Sequence, residues 1–304
     1  MSLIQNPVPW PNNARCACCV TFDIDSESLL HLDHPSDGWR RYGAISMLRY
    51  GPEVAVPRIL ETYRNLGIRQ SFYIPAWCIE QFPKAVKAIV DDGHEIGQHG
   101  YMHENPLTAS YDENLYWIRR CKKIIENATG QAPRGYRAPL YNFNGELAEM
   151  ILEEGFTYDC SLQGDDIPYM LNTKKGDLVE IPAHWGWDDW PQYVQSFDLD
   201  YMMPIKAPSL AMQVFREEFD ACYEARGMWL GVWHPFATGR LARWAHAEEL
   251  LAYMKGKGDV WFATMEEIAN HVRKVIRDGT YKPRVDELPY YTKPVSRIVC
   301  GTGI

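Results

Sequence analysis

Apolar residues recur along this chain in two rhythms: short unbroken runs, and longer stretches in which they return at every third or fourth position. The first rhythm predicts buried strands and the second amphipathic helices. The run 18–22 predicts a buried strand leading into Asp23-Ile24-Asp25. Residues 54–66 predict a helix stopped by Gly67, 70–75 a strand, 82–90 a helix stopped by Gly93, and 94–100 a short strand. The alternation continues with a helix at 115–128 before Gly130, a strand at 135–139, and a helix at 145–154 before Gly155. Strands follow at 157–162 and 178–182, then a helix at 209–225 before Gly227 and a strongly apolar strand at 228–234. A helix at 245–254, a strand at 260–264 and a helix at 265–276 complete the pattern. Residues 26–52 read as an irregular insertion with Pro35, Asp37 and Gly38 as turn formers, and 278–304 as a Pro-rich tail that wraps a surface or a neighbouring subunit.

Strands alternating with helices predict parallel βα units, in an open doubly wound sheet or a barrel. About seven or eight such strands is the number of a barrel. No repeat or linker divides the 304 residues, so one catalytic domain over 1–304 is expected, with its core at 15–275. The strands carry polar residues at their C-terminal ends: Asp23, Asp25, His99, Arg137, Asp159, Glu180 and His234. In a barrel these ends meet at one mouth.

Composition narrows the class. Hydrophobic residues make up 46%, enough for a sizeable core. The net charge of -9 disfavours nucleic acid and anionic lipid as partners. No apolar run reaches membrane-spanning length and no signal peptide stands at the N-terminus, so a cytoplasmic address is expected. The eight cysteines are expected as thiols, and Cys16, Cys18 and Cys19 lack the spacing of a zinc site. No phosphate-binding glycine motif follows any strand.

His99 and His103, at i and i+4, would face one way on a helix and could give two nitrogens to one metal; two ordinary loop histidines is the alternative. Asp23 and Asp25, alternate residues at a strand end, point the same way. Two buried carboxylates there need a cation or hydrogen bonds, although capping or an ion pair would also serve. Two histidines and a carboxylate form a common set for a catalytic metal with open positions. Arg137 could brace one of the aspartates or sit on the surface, and His234 could be an acid or a core group. The segment Trp185–Trp190 offers aromatic rings either to a ligand or to a loop core. Asp159 and Glu180 stand at strand ends without an assigned role.

Taken in order, Thr21-Phe22-Asp23-Ile24-Asp25, His99 to His103, Arg137-Ala138-Pro139-Leu140-Tyr141 and His234-Pro235 resemble the motifs of the polysaccharide deacetylase (NodB-homology, carbohydrate esterase 4-like) family over roughly residues 15 to 275. The stretches 99–106 and 178–183 are similar to its cytoplasmic branch of peptidoglycan-deacetylase-like proteins, imidases and metal-free allantoinases. The resemblance implies a distorted (β/α)7-8 barrel and hydrolysis of a non-peptide C–N bond. It implies a divalent metal, zinc by default, on Asp25, His99 and His103. It further implies Asp23 as base, Arg137 as its orienter, His234 as acid, and Tyr141, Trp185 and Trp187 at the substrate. Ile24 separates two aspartates that the family places side by side, so the roles of Asp23 and Asp25 stay open to exchange. The expected substrate is a small cyclic imide, ureide or N-acyl compound. An N-acetyl sugar deacetylase and a non-catalytic binding barrel are the alternatives. A homo-oligomer is expected.

Overall fold

The computed structural model describes residues 3–294. Twelve strands are found among them: β1 (Cys16–Asp23), β2 (Ser71–Ile74), β3 (Glu95–Gln98), β4 (Gly135–Tyr136), β5 (Tyr158–Asp159), β6 (Tyr169–Thr173), β7 (Gly176–Glu180), β8 (Gln195–Ser196), β9 (Tyr201–Met202), β10 (Met228–Trp233), β11 (Val260–Phe262) and β12 (Val285–Glu287). Every residue of β1 and β10 is buried, as befits strands covered on both faces. The main sheet runs β10-β1-β2-β3-β4-β5-β7-β6-β12, with β11 also on β1, and β8 and β9 form a separate hairpin. Its pairings are parallel except in the β6–β7 hairpin.

Beyond β7 the chain comes back to the first edge. Val232 N–H donates to the Trp187 carbonyl and Asp189 N–H to the Val232 carbonyl, both at 3.0 Å. That bridge lays the segment following β7 along the free edge of β10, and the sheet curls into a distorted barrel. The C-terminal ends of the strands therefore collect at one mouth. Amphipathic helices complete the core. The helix Met265–Arg277 buries Met265, Ile268, Ala269, Val272 and Val275, the stripe expected of a helix lying on a sheet.

Several expectations need correction. Residues 26–52 are largely helical rather than irregular, with α-helices at Ser28–Asp33 and Tyr42–Tyr50. These helices are too short to show a clear period, and tertiary contacts hold them. The strand expected at 135–139 ends at Tyr136, because Pro139 opens a helical turn. The strands β6 and β12 and the helix Ala76–Gln81 add elements that the pattern did not predict. The helix expected at 115–128 begins at Tyr111, where Ser110 and Glu113 form a capping box. In the expected tail, β12 pairs with β6; residues 295–304, including Cys300, lie outside the described residues. Cys16, Cys18 and Cys19 are buried thiols in β1. No described helix is long and apolar enough to cross a membrane.

Candidate active site

Three segments bring the first group of side chains together. Asp23 closes β1 and Asp25 follows it, both buried. His99 leaves the end of β3, and His103 returns to it through a turn rather than along a helix, which corrects the helical premise. Gly100 and His103 take φ of +72° and +70°, reversing the chain within a few residues. The Glu104 carboxylate accepts from the N–H groups of Tyr101 and Met102 and closes that turn. The two imidazoles meet with ring centroids 4.9 Å apart.

The His99 Nδ1 donates to the Arg137 carbonyl at 2.8 Å, a bond that orients the ring and turns Nε2 toward the aspartates. Nε2 of His99 faces Asp25 Oδ1 at 3.5 Å, and Nε2 of His103 faces Asp25 Oδ2 at 3.8 Å. Asp25 Oδ1 is buried and has no hydrogen-bond partner. Burial pushes His103 down to about 4, so it is neutral near pH 7. Burial works to raise the Asp25 carboxyl, but the imidazoles of His103, His234 and His99, in the charged forms they take in acid, outweigh it and hold it below the usual carboxylate range. Acceptors thus face one another around an orphaned carboxylate oxygen. A shared cation resolves that arrangement, and one carboxylate with two imidazoles suits a divalent metal with open positions. Asp25, His99 and His103 form such a candidate ligand set, with donor atoms within 4.8 Å of one another.

Arg137 follows β4 and is fully buried beneath these groups. Its guanidinium pairs with Asp23 Oδ1, donates to Thr21 Oγ1 at 3.0 Å, and lies 4.0 Å from the centre of the Tyr73 ring. The other oxygen of Asp23 stands 3.6 Å from His99 Nε2. Opposite, His234 follows β10 and presents Nε2 to Asp25 Oδ2 at 3.4 Å. Its Nδ1 donates to Asp189 Oδ1 at 2.6 Å. Asp189 also accepts from the backbone N–H groups of His234 and Thr238 and from the Thr238 hydroxyl. Burial opposes a charge on His234, but Asp189 and then Asp25 outweigh it and raise its pKa well above the usual imidazole range.

The surrounding cavity measures about 260 Å³. Tyr141, Trp185, Asp188 and Trp190 form one wall, and Leu29 and Leu32 of the helix Ser28–Asp33 help form another. Tyr141 reaches it because Leu140 and Tyr141 both take φ of +57°, and its hydroxyl donates to Asp188 at 2.7 Å. Trp185 stands edge-on to Tyr141 with ring centroids 5.0 Å apart. Trp187, expected at the substrate, is instead in the core. It is 1% exposed, does not line the cavity, and donates its indole N–H to Glu218. The segment 187–189 pairs with β10, so neighbours along it face opposite ways.

A match to the family model for polysaccharide deacetylase covers residues 47–158. The chain is 31% identical over 260 residues to a Helicobacter pylori peptidoglycan deacetylase, a match covering 76% of this chain and 87% of that one. The chain belongs to the polysaccharide deacetylase family. A Mycobacterium smegmatis structure assigned to the polysaccharide deacetylases is 35% identical, covers 97% of this chain and all of its own, and superposes with a TM-score of 0.88. An allantoinase shares the fold at a TM-score of 0.77 and 23% identity, over 92% of this chain and 97% of that one. The protein is accordingly a deacetylase-like hydrolase acting on carbon–nitrogen bonds other than peptide bonds. Deacetylases of this family generally use a divalent metal, and the Asp25, His99 and His103 set fits one.

Asp189 holds His234 without any spacing signal in the sequence beyond the adjacent pair Asp188-Asp189 among the tryptophans. Trp190, in the segment expected to offer rings to a ligand or a loop core, lines the cavity and stands edge-on to His234, ring centroids 5.1 Å apart. Asp159 and Glu180, left without a role, lie behind the wall. Asp159 and Glu180 both accept from the Ser161 N–H, and the Ser161 hydroxyl accepts from Ala138 N–H in the turn that carries Tyr141.

Proposed function

We propose that this protein hydrolyses an amide or imide C–N bond of a small substrate, with zinc held by Asp25, His99 and His103. The observation that carries this reading is the size and cover of the cavity. At about 260 Å³ it lies near the lower end of small-ligand sites, and the helix Ser28–Asp33 stands over one side. That cover is braced. His34 meets the Asp198 carbonyl at 2.7 Å, and Arg41 pairs with both Asp198 and Asp37, so the insertion and the β8–β9 hairpin hold each other. Such walls suit a flat ring better than a long polymer.

A divalent metal held by Asp25, His99 and His103 would supply Lewis acidity here, making water more acidic and a carbonyl more electrophilic. In this reading Asp23 takes the proton of the attacking water, and Arg137 fixes the carboxylate for that task. His234 protonates the departing nitrogen, held in register by Asp189. General acid catalysis of this kind contributes on the order of 10²–10⁴-fold. Tyr141, Trp185 and Trp190 flank the substrate ring. A second reading, an N-acetyl sugar deacetylase, is favoured by the exposed Leu140 and Trp185 at the rim, which could receive a sugar face.

The test is an assay of the zinc-reconstituted chain against cyclic imides and against N-acetylglucosamine oligomers, with chelator controls. Turnover of imides that is lost on chelation and restored by zinc is expected. Turnover of the oligomers alone would replace this reading with the second one.

A further inference from the structure

The inner end of the cavity holds the reacting groups, but its outer wall contains a carboxylate that the chemistry above does not use. Asp188 is buried at 3% exposure and lines the cavity beside Tyr141 and Trp190. Oδ2 accepts from the Tyr141 hydroxyl and Oδ1 from the Trp190 N–H, each at 2.7 Å. Those two bonds fix the plane of the carboxylate and leave a free acceptor site on each oxygen. His234 stands beside it, with Nδ1 4.0 Å away and already donating to Asp189 at 2.6 Å. Among the described residues no lysine or arginine pairs with Asp188 or lines the cavity. Burial pushes the Asp188 carboxyl up to about 7 even with His234 pulling it down, and a ligand that brings a hydrogen-bond donor recovers part of the cost of the charged form. A ligand that brings a second carboxylate adds repulsion instead, and Asp33 at the rim adds more.

We infer that Asp188 is a specificity-determining residue of this pocket: it accepts an N–H or O–H from a neutral substrate and turns away substrates carrying a carboxylate to the same wall. The inference rests on the reading of the site as an amide hydrolase and narrows its substrate class to neutral, donor-bearing amides. It holds for a ring amide and for an N-acetyl sugar alike, so its fate is separable from the choice between them.

The experiment uses the zinc-reconstituted full chain and two matched pairs of probes. Hydantoin is compared with hydantoin-5-acetic acid, and N-acetylglucosamine with N-acetylmuramic acid. Binding is measured by titration calorimetry and turnover as kcat/KM, for the parent and for Asp188→Asn, at pH 8, above the value of about 7 to which burial pushes Asp188. The neutral member of the pair that binds should be preferred by roughly tenfold or more, the value of one hydrogen bond to a charged acceptor. Asp188→Asn keeps the size and one acceptor but removes the charge, so it should shrink that preference by about fivefold or more. A melting temperature close to that of the parent shows that the variant folds. The assignment is overturned if the parent treats both members alike, if the Asn variant leaves their ratio unchanged, or if neither neutral compound binds. Discrimination seen in the sugar pair alone keeps the role of Asp188 and removes the small-ring reading.

Discussion

Asp189 accepts four hydrogen bonds, and one of them decides which nitrogen of His234 faces the cavity. Its amide would keep the shape and lose the charge that stabilises the imidazolium. We expect Asp189→Asn to lower kcat by about 10²-fold, in the range of a displaced general acid, while bound zinc per chain stays unchanged by elemental analysis. An equal loss of zinc would place the fault in the metal site instead. The two tryptophans of the same segment should separate in a different way. Trp187→Ala opens a hole in the core and should cost about 3–5 kcal/mol in denaturant unfolding. Trp185→Ala, at 45% exposure, should leave stability within about 0.5 kcal/mol and raise KM. Matching stabilities for the two variants would show that the division of that segment into core and cavity wall is wrong.

The elements bearing the site differ in how legible they are. β1 and β10 announce themselves as long apolar runs, and both end on a site residue or the one before it. The two-residue strands β4 and β5 carry no period, yet they place Arg137 and Asp159. Their positions come from pairing with β3 and β7. β3 supplies a case where packing dictates sequence. A Cβ on Gly97 would come within 2.5 Å of the Tyr73 ring, the ring that supports the Arg137 guanidinium. Gly97→Ala should therefore destabilise the fold by about 1–3 kcal/mol and also slow turnover, because Tyr73 cannot yield without moving Arg137. Thermal melts and kcat measured together check this, and a variant of unchanged stability and activity would refute it. The turn 99–103 could be read as a metal pair but not as a turn. Its shape depends on the Glu104 carboxylate, and no spacing rule reports that.

The whole molecule responds to pH through groups that folding removes from water. His94, away from the active site, accepts the Gln70 N–H on Nδ1 at 3.0 Å. Burial pushes its pKa down to about 4; Asp92 pulls it up, while Arg64 and Arg69 push it further down. The unfolded chain binds that proton near pH 6.5, so between about 6.5 and 4 it takes up more protons than the folded one. Stability is therefore full above about 6.5 and falls as the pH drops, by at most about 3 kcal/mol from this group. His94→Asn should flatten the slope of melting temperature against pH between 7 and 5, and an unchanged slope would assign it to another group. The carboxyls behind the wall run the other way. Burial pushes Asp159 up to about 6 and, joined by Asp159, raises Glu180 well above its usual range. Their contribution is full at low pH and is lost as the pH rises through those values.

From the sequence by itself came the alternation of strands and helices, the spent ends of the apolar runs, and a set of acids, histidines and an arginine whose order matched a known family. Those features are local, written in spacing and residue type. The tertiary structure alone decided which of them meet: that Asp25 is shared by three imidazoles, that Asp189 holds His234, that Trp187 turns inward while Trp185 turns out, and that a short helix from the insertion covers the cavity. Side-chain direction and closure depend on strand register and on contacts between distant segments, and those are set by packing over the whole sheet rather than by any stretch of neighbouring residues.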